Sequence, residues 1–396
     1  MKKYFYPLVE NPYRKKDITE GIKVLKTGKL TIGRRTDIFQ REFSKKIKTK
    51  NSLLVNSGSS ANLLALQCLI NPYRKKRLKK GDEVLIPALC WSTSLWPIIQ
   101  SGLKPRFVDI DTETLNFNLS ELEKKISKKT KAILAVHVLG NCPDMDLLIK
   151  IKKKYNLILI EDTCESLGTK YRNKYLGTFG DFSSFSFYTS HQISSGEGGM
   201  ICCKNSEDYE IVKALRAHGW SRGLKKENKI AKLNKHLDKK FIFYNSGFNL
   251  RPTDISAAIG YSQFKDIDRF IKIRNDNRKK ILKGFAESKK IKKKLKILEQ
   301  GKNTKPSWFG LPIIGQKEFN KKLFIKKVEQ KGIETRPIIS GNFLRQPAVK
   351  KYKLISKNKM KNAEYVSNKG FFIGLQTKKI KKKTLNKLIK SIEDSL

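Results

Sequence analysis

Five short apolar runs in the first 165 residues constrain this chain more than any other feature. They are LLVN (53–56), EVLIPA (83–88), PRFVDI (105–110), AILAVHV (132–138) and LILIED (157–162). Each is continuous rather than alternating, the pattern of a strand buried on both faces. Between them lie polar or helix-forming segments. ANLLALQCLI follows the turn SGSS without a breaker, and Ser120 with Glu123 in SELE makes a plausible capping box. Parallel strands need such crossovers, so the alternation predicts a mostly parallel α/β sheet covered by helices. After Phe264 the pattern changes to long lysine-rich helical stretches, with short strands expected over 309–314 and 335–339. This divides the chain into a large domain, 1–264 with its N-terminal segment, and a smaller C-terminal α/β domain, 265–396. The stretch 225–240 reads as a solvated loop or helix.

Charge then asks what such a fold would meet. Against 36 acidic residues stand 85 Lys and Arg, for a formal net charge of +49. Lysine dominates and sits beside Ile and Asn, as in KKIKKKLKIL, a mixture that an AT-rich coding sequence produces by itself. No zinc-finger or aromatic RNA-binding signature accompanies the charge, so nucleic acid is not expected as a partner. A phosphate-bearing small molecule suits the charge as well. No run reaches membrane-spanning length, and the start MKKYFYPLVE lacks the apolar core of a secretion signal. The expected compartment is the cytoplasm, with no membrane partner. Six cysteines (68, 90, 142, 164, 202, 203) lack zinc-site spacing, and reduced thiols are expected. Adjacent Cys202 and Cys203 would point to opposite faces of a strand.

Four local features carry chemistry. NSGSSAN (56–62) is a strand–turn–helix junction in which Gly58 and the helix N-terminus suit a phosphate. EDTCESLG (161–168) ends a buried strand, where ligands of open α/β sheets bind. Asp162 there could hold a metal, cap a helix or meet a protonated ring nitrogen. In CWSTSLW (90–96), Trp91 could stack on a flat ligand or fill a core. SSFSFYTSHQISSGEGGM (183–200) reads as a strand over 184–188 breaking into a polar turn and a Gly-rich hairpin. Its His191 could be a surface residue, a metal ligand or a base. His137 in a buried strand reads as a core residue, and His236 as exposed.

The order of these pieces resembles the DegT/DnrJ/EryC1/StrS family of sugar aminotransferase-like enzymes. The matching stretches are GKLTIGRRTDIFQREF, NSGSSAN, VHVLGNCPDMD, IEDTCESLG, LGTFGDFSSFSF, GEGGM, RAHGW, FNLRPTDISAAIG and GIETRPIISGNFLRQP. The resemblance implies fold type I of the pyridoxal-phosphate enzymes, with a seven-stranded, mostly parallel mixed sheet in the large domain. It implies pyridoxal 5'-phosphate and its pyridoxamine form as cofactor. Gly58, Ser59 and Ser186 would bind the phosphate, Trp91 would stack on the ring, and Asp162 would pair with its nitrogen. Glu165 replaces the Gln or His common in this family. Asn249 would reach the phosphate of a neighbouring subunit in a homodimer.

In that family a lysine normally stands at position 191 and ties the cofactor covalently. Histidine there resembles the branch of nucleotide-sugar 3-dehydratases, with GDP-4-keto-6-deoxy-D-mannose as the implied substrate and glutamate as amino donor. His191 would then be the catalytic acid/base. His218, Arg222, Glu334 and Arg336 would contact the sugar or its diphosphate. No cysteine follows Cys203, which disfavours the iron–sulfur variant of this chemistry, and no metal site is expected. An aminotransferase that tolerates His191, or a non-catalytic binder of sugar nucleotides, are the alternatives.

Overall fold

The computed structural model describes residues 4–354 and 359–396. The larger sheet contains β1 (Asn51–Val55), β2 (Glu83–Pro87), β3 (Lys104–Val108), β4 (Thr130–Val136), β5 (Ile158–Asp162), β6 (Phe182–Ser186) and β7 (Gly199–Cys203). Their spatial order is β1-β7-β6-β5-β4-β2-β3. Only β7 opposes its neighbours, pairing antiparallel with both β1 and β6; the other pairings are parallel. Each of the five apolar runs thus supplies a strand. Both faces are covered, so Cys202 and Cys203 are both buried and pack in different core clusters.

Four helices lie within residues 4–100: α1 (Lys15–Leu25), α2 (Arg34–Ile47), α3 (Gly58–Ile70) and α4 (Ser92–Gln100). Nine of the thirteen residues of α3 are buried, as expected of a helix that is apolar all round. Ser57 caps it, its hydroxyl accepting from Ser60 N at 3.1 Å. The helix over Leu119–Lys124 is capped by Asn118, whose side chain accepts from Glu121 N. The expected Ser120 box is not the cap, because Ser120 already lies inside the helix.

A second sheet comes from the C-terminal part: β8 (Leu295–Ile297), β9 (Gly310–Gly315), β10 (Thr335–Arg336) and β11 (Gly370–Gly374), in the antiparallel order β8-β9-β11-β10. The strand expected over 335–339 stops at Arg336. Pro337 has no N–H to donate, and Ile339 adopts a left-handed φ of 48°. Tyr6 joins this second core and is 1% exposed. Within 225–240 the chain forms a short helix, Glu227–Leu233, and His236 is exposed.

The strand expected at 184–188 is displaced toward its start. Its partner β5 ends at Asp162 opposite Ser184, and β7 begins at Gly199 opposite Ser186. Beyond Ser186 no strand pairs with it among the described residues, only a lone bridge from Tyr188 to Gly196, and the chain leaves the sheet. Phe187 N donates to Gly198 O (2.9 Å), Ser195 N to Phe187 O (2.8 Å) and His191 N to Tyr188 O (2.9 Å). These bonds close a loop with His191 near its middle.

Candidate active site

Three strand ends and two helix starts meet at one place. Gly58 opens α3, and a Cβ there would sit 2.7 Å from both Cys164 Sγ and Ser186 Cβ. A Cβ on Gly199 would overlap the Ser57–Gly58 peptide. Only glycine at both positions lets the helix start press against β6 and β7. The result is a helix N-terminus with free amides beside Ser186, a setting that favours an anion. Ser59 Oγ lies 2.8 Å from Thr93 Oγ1, tying α3 to α4.

Asp162, 5% exposed, ends β5 beside this cradle. Asn62 Nδ2 (2.8 Å) and Ser94 Oγ (2.7 Å) donate to its Oδ2. Cys164 N (3.2 Å) and Ser184 Oγ (3.4 Å) donate to its Oδ1. Asp162 is therefore a fixed carboxylate aimed by four donors, not a helix cap. Trp91, just before α4, is 55% exposed, so its indole is not core filling and offers a flat face. Behind Asp162, His137 is fully buried with Nε2 3.1 Å from Glu161 Oε2. Glu161 also accepts from the amides of Gly177, Phe179 and Gly180. His137 is thus a core residue.

His191 is half-buried on its turn, ring edge to face with Phe309 at 5.2 Å. Its Nδ1 is buried without a hydrogen-bond partner. Burial pushes the imidazole pKa down to about 4, and the Arg274 guanidinium pushes the same way, against the opposing charge of Asp162. The ring is therefore neutral near neutrality. Arg274 Nη2 donates to His191 O (3.3 Å) and Nη1 to Trp308 O (3.1 Å). Gln192 Nε2 donates to Glu165 O (2.5 Å) and Ser307 O (3.1 Å). Glu165 accepts from Leu139 N at 2.9 Å. Burial raises its pKa to about 7, with the Asp162 charge adding and the Leu139 amide opposing.

The remaining predicted residues are half-buried or exposed. His218, in the left-handed region at φ 58°, packs edge-on to Trp220 at 4.7 Å. The guanidinium of Arg222 lies over the Trp220 ring at 4.8 Å, and its Nη2 donates to Lys240 O. Asn249 is exposed, its Oδ1 accepting from Arg251 Nε at 2.9 Å. Glu334 accepts from Leu8 N (3.0 Å) and pairs with Arg336 (3.2 Å). Arg336 stands opposite Phe372, which packs on Phe309, which packs on His191.

Sequence reasoning passed over Asn62, Ser94 and Arg274. Asn62 follows Gly58 by four residues and so shares its helix face; Ser94 lies inside the CWSTSLW motif. Arg274 lies on the lysine-rich helix Ile267–Glu287, where nothing local sets it apart.

Residues 12–393 match the DegT/DnrJ/EryC1/StrS aminotransferase family. GDP-4-keto-6-deoxy-D-mannose 3-dehydratase from Escherichia coli O55:H7 is 38% identical over 374 residues, covering 93% of this chain and 95% of the relative. A crystal structure of a GDP-4-keto-6-deoxymannose 3-dehydratase mutant with bound GDP-perosamine superposes with a TM-score of 0.91 at 36% identity, covering 98% of this chain and all of the other. Another structure of that enzyme, with a trapped PLP–glutamate geminal diamine, gives 0.90 at 36% identity and the same coverage. The chain belongs to the DegT/DnrJ/EryC1/StrS aminotransferase family.

Proposed function

We propose that this enzyme removes the C3 hydroxyl of a nucleotide-linked 4-keto-6-deoxyhexose, GDP-4-keto-6-deoxy-D-mannose, using pyridoxal 5'-phosphate and glutamate. The observation that carries the reading is His191: a neutral, untied imidazole on the turn beside an anion cradle and a fixed carboxylate. The named relatives and the ligands in their crystal structures support it. The exchange balances. Glutamate becomes 2-oxoglutarate and ammonia, and the oxygen and electrons exchanged convert C–OH at C3 to C–H.

The residues fit the cofactor. The crowded Gly58 position leaves helix amides open beside Ser59 and Ser186 for a phosphate, Asp162 presents an ordered carboxylate for a pyridinium N–H, and Trp91 offers its ring. When bound, the cofactor would supply an aldehyde carbon to take up the amino group of glutamate and a pyridine ring to delocalise the electron pair left by proton removal. His191 would take that proton. A pKa near 4 keeps the ring free to accept it and makes its protonated form a strong acid, suited to passing the proton to the departing hydroxyl. Nδ1 is buried, so Nε2 is the ring nitrogen that would take it. Imidazole has no primary amine with which to form a stable imine, so noncovalent contacts must retain the cofactor. His218, Arg222, Glu334 and Arg336 would bind the sugar and diphosphate, the arginines through forked donors.

The working unit is proposed to be a homodimer acting in the cytoplasm. Ile18 (49% exposed), Ile22 (44%) and Leu25 (52%) form one apolar stripe on α1, and Asn249 is exposed on the chain's own surface. Among the described residues no helix is long and apolar enough to cross a membrane. Incubation with cofactor, glutamate and GDP-4-keto-6-deoxy-D-mannose should release ammonia and a 3-deoxy-4-keto sugar. A 4-amino sugar would establish an aminotransferase instead, and cofactor absorbance indifferent to glutamate a binder.

A further inference from the structure

The N-terminal segment crosses the molecule from the small sheet to the histidine turn. Tyr6 bridges to Ile333, and its hydroxyl donates to Gly374 O at 2.9 Å. Leu8 N donates to Glu334 Oε2 (3.0 Å) and Glu10 N to Gln376 Oε1 (3.2 Å), while the Gln376 amide donates to Pro7 O. A few residues on, the Tyr13 hydroxyl lies 3.0 Å from Ser194 Oγ and 3.4 Å from Thr189 Oγ1. These two hydroxyls flank His191 in the chain. Gln263, 3% exposed, closes a ring: its Nε2 donates to Pro12 O at 2.8 Å and its Oε1 accepts from Ser194 N at 2.8 Å.

This bracket has a purpose if the imidazole must be placed accurately. No side-chain hydrogen bond holds Nδ1, so the ring is placed by its backbone together with edge contacts to Phe309 and Tyr188. That backbone is held at His191 O by Arg274 and at Ser194 N by Gln263, while the side chains of Gln192, Thr189 and Ser194 tie the turn to its neighbours, the last two through the Tyr13 hydroxyl. Proton transfer is steep in geometry, and a misplacement of about 1 Å can cost on the order of a hundredfold. We propose that Tyr13 is a positioning residue that holds both flanks of the His191 turn, tying it through the N-terminal strap to Glu334, just before β10. The proposal rests on His191 being the base.

The test is Tyr13→Phe in the cofactor-loaded enzyme, assayed with glutamate and GDP-4-keto-6-deoxy-D-mannose and by amide hydrogen exchange. The expected result is a fall in kcat of about ten- to a hundredfold with KM and cofactor retention unchanged, and faster exchange confined to residues 188–195. Unchanged exchange there, or a parental kcat, overturns it. His191→Asn run alongside separates the two readings. If that variant keeps parental kcat, the base assignment fails. If it is inactive while Tyr13→Phe is fully active, the positioning role fails. Should Tyr13→Phe not accumulate as folded protein, Ser194→Ala removes the same hydrogen bond from the turn side and is read identically.

Discussion

Asp162 and Arg336 are both charged groups proposed to face a ligand, yet the protein treats them in opposite ways. Four donors from α3, α4, the Cys164 amide and β6 converge on Asp162, which is 5% exposed. The Arg336 side chain is 61% exposed and has Glu334 as its ion-pair neighbour. The same contrast separates the other site residues. Gly58, Ser186 and Asp162 are buried at strand and helix ends, whereas Arg222 and Asn249 are exposed. The buried groups are held by the protein's own hydrogen bonds without a ligand; the exposed ones are proposed to gain theirs from the substrate or a second subunit. Preorganised polar groups belong where charge develops during reaction, and adaptable ones where a large substrate is gripped.

The sharpest break of this contrast is His191→Asn. Loss of an acid/base group should lower kcat by roughly 10²–10⁴-fold while pyridoxal phosphate still binds, measured by turnover and cofactor absorbance. Loss of cofactor as well would place His191 among the pocket's holding residues. Gly58→Ala comes next. Its Cβ would meet Cys164 Sγ and Ser186 Cβ at 2.7 Å, and overpacking of this kind costs about 1–3 kcal/mol. Equilibrium dialysis should therefore show cofactor affinity falling about five- to 150-fold; parental affinity would show that the cradle yields. Among the exposed groups, Arg336→Ala should raise the sugar-nucleotide KM about tenfold through one lost charged contact. Its melting temperature should barely move, since exposed ion pairs contribute about 0–1 kcal/mol. A kcat loss with constant KM would move Arg336 into the reacting centre.

The smallest effect concerns pH. Burial disfavours the charged forms of both His191 and Glu165. For His191, lowered from 6.5 to about 4, the unfolded chain binds the extra proton, so its contribution to stability is lost as pH falls through that window. For Glu165, raised from 4.5 to about 7, the folded chain binds the extra proton, so stability is lost as pH rises from 4.5 to 7. Glu165→Gln removes the second trend. Thermal melts should show the variant gaining on the parent between pH 5 and pH 7; parallel curves would contradict the Glu165 environment.

How much of this was legible in sequence follows from what each feature depends on. Continuous apolar runs mark doubly buried strands, and all five proved to be strands of the large sheet. The motifs NSGSSAN, EDTCESLG and CWSTSLW were legible because Gly58, Ser57 and the end of β5 act through local turns. The end of β6 was not: it is decided by where β5 and β7 stop, which is a property of the neighbours. The Asn118 cap was missed because Ser120 offered an equally good local pattern two residues too late. Arg274 stayed hidden because its partners, the His191 and Trp308 carbonyls, are reached only through the tertiary fold.

The central claim is that a histidine rather than a lysine on this turn makes the enzyme a dehydratase. The most direct measurement compares the parent with His191→Lys, each given glutamate and GDP-4-keto-6-deoxy-D-mannose, following ammonia and identifying the sugar product. Ammonia and a 3-deoxy-4-keto sugar are expected from the parent, and neither from the lysine variant. Undiminished dehydration by His191→Lys would contradict the claim.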